Sequence, residues 1–139
     1  MSEQQAPEAG IPTPRKLRVL LVDDEIDLAF SLKMGLEQSG FIVDSFTDPE
    51  EALSNFKTDL YNAALIDVEM PNINGFDLCE KLRKIDEKVR YCFTTAYVID
   101  YETLKKDYPW LNSIKCHIQK PIETDDLVRK INEVLQKPI

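Results

Sequence analysis

The sequence is short of several residue types that particular functions require. Its 139 residues include one histidine and four glycines, and the glycines form neither of the GxGxxG and GxxxxGK loops that hold nucleotide phosphates. No apolar stretch approaches the roughly 20 residues that a membrane span needs. The N-terminal segment also lacks the apolar core of a secretory signal. These absences argue against nucleotide-binding, membrane and secreted proteins.

Positive charge is scarce as well. The chain has 17 lysine and arginine residues against 25 acidic residues, a formal net charge of −8. Direct nucleic-acid binding depends on a basic face that releases counterions, so we expect no nucleic-acid partner. The three cysteines are odd in number and lack CxxC spacing. Cys79, Cys92 and Cys116 are therefore predicted to be separate buried thiols in a reducing cytoplasm, with no disulfide and no zinc site.

Length and composition predict one globular domain with a short extension. The chain is 43% hydrophobic and 30% charged, which is ordinary for a protein that buries a core. Residues 1–15 contain three prolines and few apolar residues, and this segment is predicted to be a flexible tail. The domain is predicted to span residues 16–137.

Within that domain, apolar runs alternate with amphipathic segments. The runs predict five strands, at 17–22, 41–46, 63–66, 89–93 and 115–119. Asp48, Gly40 and Thr124 carry helix boundary signals, whereas a fourth helix around 100–107 is weak and must end or kink at Pro109. The alternation predicts an α/β fold: a five-stranded parallel sheet, doubly wound, flavodoxin-like in its strand order 2-1-3-4-5, with five helices.

Polar side chains follow four of the predicted strands. Asp23 and Asp24 follow the first strand, Asp67 the third, Thr95 the fourth and Lys120 the fifth. Parallel strands end at one edge of a sheet, and such sheets bind ligands there, at the switch point between strands 1 and 3. Carboxylates about 4 Å apart repel each other by roughly 4 kcal/mol per pair at a dielectric near 20. Oxygen ligands of this kind favour Mg²⁺, beside which an aspartate can attack phosphorus.

The motifs LLVDDE, LIDVEMPNINGFDL, TTA and QKP occur in this order. As an ordered set they resemble the receiver domain of two-component response regulators, over roughly residues 16–137. The resemblance implies that Asp67 accepts a phosphoryl group from a phosphohistidine on a sensor histidine kinase or a phosphotransfer protein.

The resemblance also implies the roles of the neighbouring residues. Asp24 and Asp67 would bind Mg²⁺ directly, Asp23 mainly through a bound water, and the backbone carbonyl of Glu69 would be a further ligand. Thr95 and Lys120 would contact the phosphoryl oxygens. The adjacent Thr94 leaves the register open by one residue, and Thr95 is the better match because Ala96 follows it.

Further expectations concern the output side of the domain. The family usually has a cis bond at the position of Lys120–Pro121 and an aromatic switch three residues before that lysine, which is His117 here. An ordinary packed histidine is the alternative. A downstream target would dock on the face formed by helix 4, strand 5 and helix 5. Tyr108 and Trp110 depart from the family pattern near that face and are candidate partner contacts.

Three functions follow from these observations. The first is a stand-alone cytoplasmic switch that signals by protein contact, with self-phosphotransfer and autodephosphorylation as its only reactions. The second is a metal-dependent phosphatase with an aspartyl nucleophile, which would want an acid–base aspartate two residues after the nucleophile. Glu69 and Glu25 occupy those offsets, and Glu25 is interpreted as a solvated acid of the first helical turn. The third is a receiver-like interaction module that is never phosphorylated.

Overall fold

Five strands form one parallel sheet in the order β2-β1-β3-β4-β5, as predicted. This computed structural model describes residues 16–136, so the predicted tail and the predicted boundary at residue 137 lie outside the described part. The strands are β1 Arg18–Val22, β2 Ile42–Phe46, β3 Ala63–Asp67, β4 Arg90–Thr95 and β5 Cys116–Gln119. Their carboxyl ends all lie at one edge of the sheet because every pairing is parallel.

The connections are helical, and the fourth is the least regular. The helices are α1 Ile26–Gln38, α2 Pro49–Asn55, α3 Gly75–Ile85, α4 Tyr101–Leu104 and α5 Thr124–Gln136. A 3-10 helix, Pro109–Ser113, follows the single turn of α4. Proline has no N–H to donate and fits only the first turn of a helix, so Pro109 opens a new segment. No helix within residues 16–136 has both the length and the apolar character of a membrane span.

Local signals fix the helix ends. The Asp48 side chain accepts a hydrogen bond from the Glu50 N–H at 2.9 Å, so it caps α2 as predicted. Gly40 follows α1 with a φ of 101°, a conformation that glycine adopts without steric cost. Asn74 caps α3 by accepting from the Asp77 N–H at 2.9 Å, and this cap positions the helix beside the end of β3.

The sheet is buried on both faces. Alternate residues of a strand point to opposite faces, and in β1 Leu20 and Val22 belong to one core cluster while Val19 and Leu21 belong to the other. Helices α2 and α3 contribute to the first cluster, and α1 and α5 to the second. This two-sided burial explains why the central strands are continuous apolar runs.

The cysteine prediction was wrong for one pair. Cys92 and Cys116 form a disulfide, because β4 and β5 pair in a register that places the two residues side by side. Because the two cysteines are 24 residues apart, their local spacing in the sequence did not indicate this pairing. Cys79 is free and buried, as predicted. The disulfide removes the basis for predicting a reducing compartment, which was three free thiols.

Gly35 lets α1 and α5 pack closely. A Cβ atom built at this position would overlap the Cγ2 methyl of Thr124, the first residue of α5. A side chain at position 35 therefore has to displace the start of α5, which follows directly on the loop that carries Lys120.

Gly35→Ala is expected to destabilise the protein in a way that depends on Thr124. Overpacking costs about 1–3 kcal/mol, against which the better helix propensity of alanine returns about 1 kcal/mol. Thr124→Ser removes the overlapping methyl, so the same alanine should no longer destabilise in that background. Urea unfolding of the four proteins measures the difference, and an equal loss in both backgrounds would contradict this account of the contact.

Candidate functional site

A buried lysine joins two buried aspartates at the carboxyl edge of the sheet. The Lys120 Nζ lies 3.1 Å from Asp23 Oδ2 and 3.3 Å from Asp67 Oδ2, and all three side chains are at least nine-tenths buried. Asp67 ends β3, Asp23 directly follows β1, and Lys120 directly follows β5. The structure therefore brings together three residues that are distant in the sequence, as the parallel topology predicted.

The electrostatics of this group depend on burial and on its charge balance. Burial is the main cause that raises the pKa of Asp67 to about 7; the nearby charge of Asp23 adds to the shift and Lys120 opposes it. Burial lowers the pKa of Lys120, but hydrogen bonds to Glu25 and Asp23 outweigh it and the net shift is upward. Lys120 is thus a permanent cation that favours ionised carboxylates around it.

Glu25 is part of the same group, which the sequence interpretation missed. Its Oε1 lies 2.7 Å from the Lys120 Nζ, although 61% of the side chain is exposed. It is the N-cap residue of α1 and is solvent-exposed, as predicted, but its ion pair with Lys120 was not anticipated. Its position directly after the aspartate pair was the available signal, since this places it at the same edge of the sheet.

The donor set fits a divalent cation. Carboxylate oxygens of Asp23, Glu25 and Asp67 lie within 4.8 Å of one another. When all are ionised, these three carboxylates and the one ammonium of Lys120 leave two negative charges uncompensated. Oxygen donors with no histidine among them suit Mg²⁺. Asp24 is half-buried and lies outside this group of three, so its role as a ligand stays a prediction.

Thr95 lies beside the site and is engaged by Glu69. The Thr95 hydroxyl donates to the Glu69 carboxylate, and the Ala96 N–H donates to Glu69 Oε1 at 3.2 Å. The Glu69 N–H in turn donates to Asp67 Oδ1 at 3.3 Å. These bonds connect Thr95 to Asp67 through Glu69. Contact of Thr95 with a phosphoryl group stays a prediction.

Gly75 allows α3 to approach the strand end that carries Asp67. Its N–H donates to the Val68 carbonyl at 2.9 Å. A Cβ atom at this position would collide with the Asp67 carbonyl oxygen and lie 2.9 Å from the Val68 Cα. Because both obstacles are backbone atoms, any side chain here would shift the end of β3 and with it the Asp67 carboxylate.

His117 is packed within an aromatic group. Its ring centroid lies 5.9 Å from that of Phe93 and 4.3 Å from that of Tyr101. The Nε2 atom is 3.1 Å from the Ile114 carbonyl, which suits a ring N–H that donates, and within the described residues Nδ1 is buried without a partner. Burial is the main cause that lowers the pKa of His117; repulsion from Lys115 adds to it and the Ile114 bond opposes it.

Tyr108 and Trp110 fasten the segment after α4 to α3. The Tyr108 hydroxyl donates to Asp77 Oδ1 at 2.6 Å, and the Trp110 indole N–H donates to Glu80 Oε1 at 3.1 Å. Their polar atoms are thus used within the molecule. The Lys120–Pro121 peptide bond is cis, as the resemblance implied.

Comparison with known proteins agrees with this geometry. The family model of the response regulator receiver domain matches residues 19–132. The chain belongs to this family. Members of the family are the phosphorylation-activated switches of two-component signalling rather than classical enzymes. Such a receiver implies a histidine kinase or a phosphotransfer protein as a partner.

Curated relatives are longer proteins. The chain is 31% identical to the transcriptional regulatory protein PrrA of Mycobacterium leprae, with 94% of this chain and 53% of the relative covered. It is 29% identical to the transcriptional regulatory protein RprY of Bacteroides fragilis, with coverage of 91% and 52%. The chain thus spans about half the length of the curated relatives that it matches.

Solved structures resemble the whole domain. A CheY-like receiver domain protein from Methanospirillum hungatei has a TM-score of 0.76 at 30% identity, covering 87% of this chain and 94% of that one. The TrrA response regulator of Thermotoga maritima, solved in complex with Mg²⁺ and beryllofluoride, has a TM-score of 0.69 at 28% identity, with coverage of 85% and 98%. The α/β fold of the receiver is therefore confirmed.

The buried environment of His117 predicts a specific dependence of stability on pH. Its pKa in the folded receiver is below its ordinary value, so the unfolded chain takes up this proton at a higher pH than the folded one. Its contribution to the free energy of unfolding is complete above about pH 6.5 and is lost as the pH falls toward the lower, folded value.

His117→Phe keeps a ring in this position and removes the titration. Urea unfolding between about pH 8 and pH 5 should show the wild type losing stability relative to the variant as the pH falls. Subtracting the two curves cancels the titration of the other groups. Parallel curves over this range would show that the folded protein binds the His117 proton as readily as the unfolded chain does.

Proposed function

We propose that Asp67 accepts a phosphoryl group from a phosphohistidine on a sensor kinase or a phosphotransfer protein, and that the receiver then signals by protein contact. The observation that carries this proposal is the buried ammonium of Lys120 in contact with the carboxylates of Asp23 and Asp67. The group lies at the switch point between β1 and β3, where sheets of this type bind ligands. Self-phosphotransfer and autodephosphorylation would be its only reactions.

The proposed Mg²⁺ site uses the oxygen atoms at this edge. Asp23, Asp24, Asp67 and the backbone carbonyl of Glu69 would hold the ion, and Glu25 is close enough to contribute. When bound, the ion supplies positive charge that neutralises the phosphoryl oxygens. The two uncompensated negative charges of the carboxylate group support this assignment.

The chain's own residues account for the transfer step. An Asp67 oxygen attacks phosphorus and forms an O–P bond, while the P–N bond to the donor breaks and its electron pair returns to that nitrogen; a phosphohistidine that is protonated on its other ring nitrogen then leaves as neutral imidazole. Lys120 opposes the effect of burial on the pKa of Asp67 and so favours its ionised form, and it would then donate to a phosphoryl oxygen. The Thr95 hydroxyl would donate to another oxygen. Positioning and charge neutralisation are most of what phosphoryl transfer requires.

An exposed apolar stripe on α1 supports a docking surface for the phosphodonor protein. Ile26, Phe30 and Met34 are spaced four residues apart, and Phe30 is 64% exposed. The helix begins directly after Glu25, which contacts Lys120. A protein bound along this stripe would therefore present a phosphohistidine at the entrance to the site. The proposed occupant of this exposed apolar surface is thus a phosphohistidine-bearing protein.

The proposed output face involves the last strand of the sheet and its neighbouring helices. We assign the downstream target to the face formed by α4, β5 and α5, next to the loop that follows β4. Tyr97 and Val98 in this loop are 64% and 94% exposed. Two large exposed side chains at the end of the strand that carries Thr95 would thus offer the target a largely apolar contact.

Asp67→Asn is expected to abolish phosphoryl labelling by acetyl phosphate in the presence of Mg²⁺, because the amide is not a nucleophile. Intact-mass spectrometry would detect the acyl phosphate on the wild type and its loss without Mg²⁺. The matched control is Asp107→Asn, an exposed aspartate outside the site, which should be labelled normally. Labelling of the Asp67→Asn protein would place the acceptor elsewhere.

Phe30→Glu is expected to slow transfer from a phosphorylated sensor kinase about tenfold, because about 1.4 kcal/mol of binding energy is a modest loss for a central aromatic contact. Labelling by acetyl phosphate should fall much less, since the small donor needs no docking surface. Ile85→Glu is the control, because Ile85 is also an exposed apolar residue but lies at the far end of α3. Equal effects of the two substitutions would count against the α1 surface.

A further inference from the structure

The side chain of Glu69 accepts hydrogen bonds from the Thr95 hydroxyl and the Ala96 N–H, beside the proposed phosphorylation site. We propose that this carboxylate is an internal latch: it holds Thr95 in the resting position, and a phosphoryl group on Asp67 has to displace it. The inference rests on the proposed function of Asp67. It concerns the side chain of Glu69 only, since its backbone carbonyl is assigned to the metal.

The geometry of the latch is a two-point contact. One Glu69 oxygen accepts from the Thr95 hydroxyl and the other accepts from the Ala96 N–H at 3.2 Å. Ala96 directly follows Thr95, so one carboxylate takes up two neighbouring donors at the end of β4. A phosphoryl group offers the same kind of acceptors, oxygen atoms that share a negative charge. The resting carboxylate therefore occupies the donors that a phosphoryl group would need.

The position of Glu69 in the chain allows its side chain to bind or release Thr95 while its backbone stays beside Asp67. It lies two residues after Asp67, and its N–H donates to Asp67 Oδ1 at 3.3 Å. Its backbone is thus tied to the phosphorylation site while its side chain reaches the end of β4. Release of the side chain requires only rotation about its own bonds, because the backbone attachment can stay in place.

The Thr95 hydroxyl cannot donate to Glu69 and to a phosphoryl oxygen at the same time. The Thr95 hydroxyl has a single hydrogen to donate, so a bond to Glu69 and a bond to a phosphoryl oxygen compete. Thr95 is buried, and the Tyr97 carbonyl at 3.4 Å is a long alternative acceptor, so the hydroxyl is better satisfied by an anionic oxygen of Glu69 or of a phosphoryl group. A phosphoryl group on Asp67 carries about −1.5 to −2 charges in place of the single carboxylate charge, so it repels the Glu69 carboxylate more strongly as it attracts the hydroxyl.

Movement of the Thr95 side chain would alter the exposed loop after β4 through its hydrogen bond to Tyr97. The Tyr97 N–H donates to the Thr95 hydroxyl oxygen at 3.0 Å, and the Tyr97 side chain is exposed. Breaking the latch therefore changes a hydrogen bond of the exposed loop after β4. The latch sets how much of the unphosphorylated protein already has the activated arrangement of this loop.

Glu69→Ala tests the latch in the unphosphorylated protein. Without the carboxylate, the amide resonances of Ala96 and Tyr97 should shift toward the positions that they take in the wild type with Mg²⁺ and trifluoroberyllate. The apparent affinity for trifluoroberyllate in Mg²⁺ should rise about tenfold, as expected when a charge-assisted hydrogen bond no longer competes. Glu69→Gln keeps an amide oxygen that can accept from Thr95, so its shifts should be smaller and in the same direction.

Two controls separate the latch from a general effect of charge. Glu25→Ala removes another carboxylate of the site, one that contacts Lys120 and has no bond to Thr95. Because Glu25 is also close enough to contribute to the metal site, its loss should not raise the affinity as Glu69→Ala does, and it should leave the Ala96 amide close to its resting position. In a Thr95→Val background, the gain in affinity from Glu69→Ala should be smaller, because only the Ala96 N–H remains to be released.

Unchanged Ala96 and Tyr97 amides in Glu69→Ala would overturn the latch, and so would an equal gain in affinity from Glu25→Ala. These resting-state spectra need no phosphoryl group, so they decide the latch even if labelling of Asp67→Asn shows that the acceptor lies elsewhere. Conversely, labelling that is confined to Asp67 with unmoved amides would keep the proposed function and remove the latch.

Discussion

The contact of the Lys120 ammonium with Asp23 and Asp67 is the interaction on which the carboxyl edge of the sheet depends. These side chains come from the ends of β5, β1 and β3, and all are buried. Two buried carboxylates would repel each other, and isolated buried charges are strongly unfavourable, so the lysine makes their burial tolerable. Removing any one of the three leaves the other charges uncompensated in a dry environment, which is far costlier than losing a surface ion pair. This balance is also incomplete, since Glu25 adds further negative charge, and a site of this kind is ready for a cation.

Close backbone packing positions that contact. Gly75 lets α3 approach the end of β3, and Gly35 lets α1 lie against the start of α5. The first glycine fixes the strand end that carries Asp67. The second fixes the helix that follows the Lys120 loop. A Cβ atom would collide with the Asp67 backbone at position 75 and with the Thr124 side chain at position 35, and electrostatic contacts at about 3 Å are sensitive to shifts of the elements that carry them.

The parts of this arrangement that follow from strand ends were predictable from the sequence, and those that depend on register or side-chain conformation were not. Apolar runs followed by Asp23, Asp67 and Lys120 predict convergence because parallel strands end at one edge. The disulfide between Cys92 and Cys116 depends on the β4–β5 register, which no local pattern specifies. Likewise, α4 is a single turn and is shorter than the helix predicted around 100–107, because tertiary context overrides a weak helical pattern.

The bond between Thr95 and Glu69 depends on side-chain conformation, so the sequence could not predict it. It changes how the site is understood. From the sequence, Thr95 is simply a hydroxyl available to a phosphoryl group, whereas in the structure it already has an anionic acceptor. A ligand shifts an equilibrium only by its difference in affinity for two states. If the hydroxyl were free at rest, a phosphoryl group would merely add a bond, and nothing would resist partial activation. With Glu69 in competition, activation exchanges one acceptor for another, and the resting state is held by a bond of comparable chemistry. A two-state switch needs such opposition.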